Sequence, residues 1–261
     1  MIVDGHVHVG KWLDQAYSSR SVSFAEMVKE LSGSGVGAAF VFPTDAKDNA
    51  GLLSEVVRHG SGKDSMGSDG GLDGGFGVYF FPWVDIDAEE FGDFLKKEKD
   101  RVSGLKFHPS YARKPVTDPA FDPFFAFARE NNVPVIIHCG RWQEVAGYKF
   151  ALDRAETFRE VPFVLSHLGG DLPGLQLGAF EAVQKKGLDN VLFGTESIRE
   201  YWNLERGIQE LGAHRFLFGS DFALGHPNIY RPVVELLSIS EDEKALVLGQ
   251  NALDLVGRSG K

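Results

Sequence analysis

Short runs of β-branched and aromatic residues recur along the chain, and stretches of helical apolar spacing separate them. The runs cover residues 2–9, 36–42, 76–84, 104–108, 133–138, 163–167, 190–194 and 215–221. Several are apolar on both faces, as in Pro134-Val135-Ile136-Ile137 and Phe216-Leu217-Phe218. That is the pattern of parallel strands covered by helices. Between the runs, Phe24, Met27, Val28 and Leu31 keep a helical period, and so do Phe121, Phe124, Phe125 and Ala128. Asp118-Pro119 before the second set reads as an N-cap followed by a proline in the first turn. From the fourth run onward the starts lie about 25 to 30 residues apart, the length of one strand–helix unit. Eight such units in series predict an α/β fold, a closed (β/α)8 TIM barrel, rather than an open doubly wound sheet.

The 261-residue length fits one such barrel, so residues 1–261 are expected to form a single domain. One stretch breaks the rhythm. Residues 60–77 are rich in Gly, Ser and Asp, lack a phosphate-loop pattern, and are expected to be a solvated surface loop.

Charge and cysteine content narrow the partners. The net charge of −10 lacks the basic footprint of a nucleic-acid binder, and Lys96-Lys97-Glu98-Lys99 reads as a solvated helix face. Cys139 is the single cysteine, so no intrachain disulfide can form. No apolar stretch is long enough to span a membrane, and the N-terminus lacks the regions of a signal peptide. A soluble, cytoplasmic protein is the expectation. The expected partner is a small-molecule substrate, with no nucleic acid and no membrane; a homodimer is left open.

The candidate chemistry sits at the ends of the apolar runs. The first run holds Asp4-Gly5-His6-Val7-His8. Side chains alternate along a strand, so His6 and His8 face one side together, half of a metal site. Later runs end in His138, His167 and Asp221. A barrel gathers its strand C-termini on one face, where active sites lie. Burying an imidazole or a carboxylate costs free energy unless it is paired or metal-bound, so four apolar strands ending this way point to a metal centre.

These segments, with Gly104-Leu105-Lys106-Phe107-His108-Pro109, Cys139-Gly140, Leu168-Gly169-Gly170 and Gln250-Asn251-Ala252, resemble the amidohydrolase superfamily. The likeness is to its amidohydrolase-related branch, which also contains the aminocarboxymuconate-semialdehyde decarboxylase type. The resemblance implies one divalent metal, Zn²⁺ ahead of Mn²⁺ or Fe²⁺, on His6, His8, His138 and Asp221. It implies that Asp221 also takes a proton from the attacking water, and that His167 acts beside the metal as acid or base. Asp4 is either a partner of a ligand or a carboxylate tied to backbone N–H groups.

Lys106 could be carboxylated and bridge two metals, as in binuclear branches of the superfamily. Its surroundings resemble the mononuclear branch, which favours a substrate contact or a contact behind the ligands. His108 and Arg141 are further substrate-binding candidates. Trp12, Tyr17, Arg20, Trp83, Trp142, Glu196 and His226 follow strands and are candidate pocket residues, each more readily explained by packing or surface position. Cys139 reads as a small buried residue. The expected activity is a metal-dependent hydrolase acting through an activated water on a small amide, lactone or related carbonyl compound. A non-oxidative decarboxylase of a small unsaturated or aromatic acid is the alternative, disfavoured by the compact chain. A ligand-binding barrel without turnover is the second alternative.

Overall fold

The computed structural model describes residues 1–12, 20–59, 75–140 and 142–257. The expected loop at 60–77 lies largely outside the described residues. Among the described residues eight strands alternate with helices: β1 (Ile2–Val9), β2 (Val36–Pro43), β3 (Gly77–Phe80), β4 (Leu105–Phe107), β5 (Val135–Ile137), β6 (Phe163–Leu165), β7 (Val191–Gly194) and β8 (Phe216–Leu217). All neighbouring pairs are parallel, in two runs, β1-β2-β3 and β4 to β8 in chain order.

Backbone hydrogen bonds join the two runs at both edges. On one side Ser103 N donates to Phe80 O, Lys106 N to Pro82 O and Val84 N to Lys106 O, at 2.8–2.9 Å. On the other, Gly5 N donates to Phe218 O at 2.8 Å and His8 N to Phe222 O at 2.5 Å. The sheet therefore closes on itself, giving the (β/α)8 barrel that the sequence rhythm predicts.

Strand alternation sorts the side chains between the barrel lumen and the helical layer. Val3, Ala38, Phe40, Phe42, Tyr79, Phe81, Ile136, Val164 and Leu217 form one buried cluster inside the barrel. Their strand neighbours Ala39 and Val41, or Val135, Ile137, Phe163 and Leu165, belong to the clusters beneath the outer helices. Ala252, Leu255 and Val256 of the last helix (Asn251–Gly257) join the inner cluster and plug the barrel's lower end. Asn251 anchors that helix, donating to Ala213 O at 2.8 Å and Phe216 O at 2.7 Å.

The outer helices begin as the sequence suggests. Ser23 closes a capping box with Glu26 ahead of the helix Phe24–Gly33, whose buried face carries Phe24, Met27 and Leu31. Asp118 caps a short 3₁₀ turn (Pro119–Phe121), accepting from Ala120 N at 2.9 Å, and the helix Asp122–Glu130 follows.

Strands β6 and β8 are shorter than the apolar runs that mark them. They stop before His167 and Asp221, which are left-handed at φ 58° each. A ladder cannot continue through that conformation, so the chain turns there and lifts both side chains out of the strand.

Candidate metal centre and catalytic site

His6 and His8 lie on the lumen side of β1 near its C-terminal end, both nearly fully buried. Each imidazole is held from behind through Nδ1. His6 Nδ1 lies 2.9 Å from Glu196 Oε1, and His8 Nδ1 lies 3.4 Å from Pro43 O. Both partners are acceptors, so each ring carries its proton on Nδ1 and presents the lone pair of Nε2. Both Nε2 atoms stand 3.6 Å from Asp221 Oδ1. One donor atom each from His6, His8 and Asp221 lies within 4.8 Å of the other two, and all three residues are buried.

Two lone pairs and a carboxylate oxygen converge there and repel one another, with Lys106 Nζ, 3.1 Å from His6 Nε2, donating into the group. A divalent cation turns that repulsion into coordination, and mixed imidazole–carboxylate donors suit Zn²⁺ and its first-row neighbours. Burial pushes His6 below its usual range and His8 down to about 3, so both rings are neutral, as ligands must be. Burial would raise Asp221, yet its carboxyl lies below the usual carboxylate range and is ionised. Ser197 Oγ donates to Asp221 Oδ2 at 2.9 Å, leaving Oδ1 to the two histidines.

Ser197 is left-handed too, at φ 58°. With His167, Leu168 and Asp221, four non-glycine residues past the ends of β6, β7 and β8 hold a conformation costing about 1–3 kcal/mol each. Such strain persists where the surroundings over-determine it, and here it surrounds the converging donors.

His138, the fourth expected ligand, stands outside the group of three. Its Nδ1 faces His167 Nε2 at 3.2 Å, and its ring stacks on His108 at 4.0 Å between centroids. His108 stacks in turn on Trp83 at 4.9 Å. Burial pushes both His108 and His138 well below the usual imidazole range. Among the described residues, the buried His108 Nδ1 has no hydrogen-bond partner.

Lys106 is fully buried, with Nζ 3.1 Å from His6 Nε2, 3.5 Å from Ser166 Oγ and 4.8 Å from the centre of the Phe42 ring. Burial pushes its amine down to about 8, against the pull of Glu196 and Asp221. Asp4 proves to be a structural tie. Its carboxylate accepts from Ser220 N at 2.9 Å, His6 N at 3.2 Å and Ser220 Oγ, stitching β1 to the segment after β8. Burial pushes Asp4 up to about 7. Cys139 is buried with its thiol raised to about 12, again by burial, in keeping with a packing role.

Among the other candidates, Trp12 is buried with its ring 5.3 Å from His8. Trp142 is 45% exposed. His226 caps the helix Pro227–Glu235 through Nδ1, a local structural task. Arg20 lies 5.9 Å from the centre of the Phe222 ring. Arg141 and Tyr17 lie outside the described residues.

The residue most undervalued by sequence reasoning is Glu196. It is 1% exposed and bonded to both His6 and His167. Burial would raise its carboxyl, but His6 and His167 hold it well below the usual range. The available signal was its position: an acid two residues beyond an apolar strand end, in Phe193-Gly194-Thr195-Glu196.

The sequence profile of a family described as amidohydrolase matches residues 76–258. Among curated proteins, none matches the sequence. Among solved structures, 5-carboxyvanillate decarboxylase from Sphingomonas paucimobilis is similar with a TM-score of 0.71 at 14% identity, over 98% of both chains. A zinc-bound amidohydrolase from Burkholderia multivorans is similar with a TM-score of 0.71 at 14% identity, over 98% of this chain and 99% of that one. A probable 2-pyrone-4,6-dicarboxylic acid hydrolase from Acinetobacter baumannii, with citric acid bound, gives 0.68 at 13% identity, over 98% and 99%. The decarboxylase is covered as fully as the hydrolase, so compactness does not separate hydrolysis from decarboxylation.

Proposed function

The chain belongs to the amidohydrolase family, and from that premise we propose that it is a metal-dependent hydrolase of a small amide, lactone or related carbonyl compound. The observation that carries this reading is the convergence of two deprotonated Nε2 atoms on Asp221 Oδ1. His6, His8 and Asp221 would hold one divalent ion, with His138 as the fourth ligand. A bound ion would supply a Lewis acid and lower the pKa of water toward about 7.

The chain's own residues divide the remaining work. Asp221 is ionised and oriented by Ser197, so it can receive a proton from the attacking water. His167 Nδ1 donates to Glu196 O at 3.1 Å, which leaves the Nε2 lone pair to take up the proton released by the water through Asp221 and hand it to the departing group. Lys106, His108 and Arg141 are the candidates for binding the substrate, with Lys106 and His108 two residues apart at the end of β4.

Decarboxylation of a planar acid is the second reading. It is favoured by the flat stack of Trp83, His108 and His138, tilted only 11–12° ring to ring, which suits a conjugated ring. The test is a panel of lactones, amides and aromatic acids offered to the Zn²⁺- and Mn²⁺-loaded protein, with acid production and CO₂ followed separately. Acid release from a lactone or amide, abolished by chelation, supports the hydrolase. CO₂ release without hydrolysis overturns it in favour of the decarboxylase. Turnover that survives complete metal removal contradicts both.

A further inference from the structure

Glu196 touches two functional side chains from one position. Its Oε1 accepts from His6 Nδ1 at 2.9 Å and from the backbone N–H of His167 at 3.0 Å. Its carbonyl oxygen faces His167 Nδ1 at 3.1 Å. The first contact fixes the tautomer and direction of His6. The other two fix the backbone and the ring of His167, whose left-handed conformation has to be held by its surroundings.

The chain also keeps space clear for this carboxylate. A Cβ added at Gly194 would collide with Glu196 Oε2, and one at Gly219 would come within 2.9 Å of it and 3.0 Å of His6 Cβ. Neither glycine is among those with positive φ, so an L side chain would meet no backbone penalty at either place. The requirement is room: the last residue of β7 and a residue just past β8 are pared to hydrogen so that one carboxylate can lie between them.

We propose that Glu196 is a positioning residue that couples the metal site to the acid/base group, with Gly194 and Gly219 as its cradle. The proposal rests on the reading of His6 as a metal ligand. Displacing or neutralising the carboxylate then loosens His6 toward the ion and misplaces His167 in the same stroke.

The test uses the full chain loaded with Zn²⁺ and times Zn²⁺ release to a chelator, with kcat measured alongside. Glu196→Gln keeps the shape and removes the charge. Gly194→Ala keeps the charge and removes the room. Each should release Zn²⁺ about 10–100-fold faster than the parent, the range typical for losing a partner that orients a ligand. Each should also lower kcat more than it changes KM. Because both act on one carboxylate, the double variant should lose no more than the worse single one. If Glu196→Gln does not fold, Gly194→Ala and Gly219→Ala carry the same comparison. Folded variants that release Zn²⁺ at the parent rate, or whose effects simply add, overturn the role of Glu196. A parent that holds no Zn²⁺ overturns the metal reading itself, and with it this one.

Discussion

His167 Nε2 and His138 Nδ1 face each other at 3.2 Å across the mouth of the barrel. One of the two nitrogens carries the proton between them, so the rings cannot both present a lone pair there. Their roles should separate on mutation. His138→Ala should lower the metal content, because it removes a candidate ligand. His167→Asn should keep the metal and lose turnover by about 10²–10⁴-fold, the range for a lost general acid or base. Elemental analysis beside activity reads both effects. Equal metal loss in the two variants would contradict the division.

Asp221 is assigned two tasks, and Asn can perform only one. An amide oxygen still offers a donor to the ion but cannot take a proton at neutral pH. Asp221→Asn should therefore retain much of the metal and lose catalysis. Near-parental turnover in a metal-loaded variant would remove Asp221 as the base.

Lys106 is tested by its effect on metal retention. In the metal-free protein Lys106 Nζ donates to His6 Nε2 at 3.1 Å, a contact that gives way when a metal takes that lone pair. Lys106→Met should keep one metal per chain and raise KM if the amine binds substrate. Loss of metal would instead point to a carboxylated, bridging lysine.

The same residue gives a pH signature in the metal-free protein. Its amine is pushed from 10.5 to about 8 by burial. Between those values the unfolded chain still binds a proton that the folded chain has released, so this residue's contribution to stability rises with pH through that window. Lys106→Met should be more stable than the parent at pH 7, by about 3 kcal/mol at most. The gap should close toward pH 10.5. A gap that does not change with pH would contradict the buried-amine account. Denaturant unfolding of both proteins across the range reads it.

Cys139 should behave as packing. With the thiol buried and raised to about 12, the native protein should not react with a thiol reagent at pH 8, and one thiol per chain should appear on unfolding. Rapid native labelling would contradict its enclosure.

Much of this architecture was legible in the sequence because parallel strands under helices demand apolar residues on both faces. The runs at 2–9 and 36–42 correspond to β1 and β2 almost residue for residue. The later runs overshoot, since composition does not reveal where His167 and Asp221 turn left-handed. His6, His8 and Asp221 could be read from strand alternation and strand ends. Glu196 was legible only as a pocket candidate after the seventh run; its tie to His6 was not, because it reaches across the lumen between residues 190 positions apart in the chain. The glycines that make room for it were equally silent, since a missing Cβ carries meaning only once a neighbour is known. The tie between Asp4 and Ser220 joins the first strand to the segment after the eighth, and only barrel closure brings them together.

The central claim is one divalent metal held by His6, His8 and Asp221, and anomalous diffraction at the Zn edge tests it most directly. The account predicts one peak per chain, at about 2.0–2.2 Å from His6 Nε2, His8 Nε2 and an oxygen of Asp221, with elemental analysis giving one metal per chain. No peak at that position in Zn²⁺-soaked crystals, or two peaks bridged by a carboxylated Lys106, would contradict it.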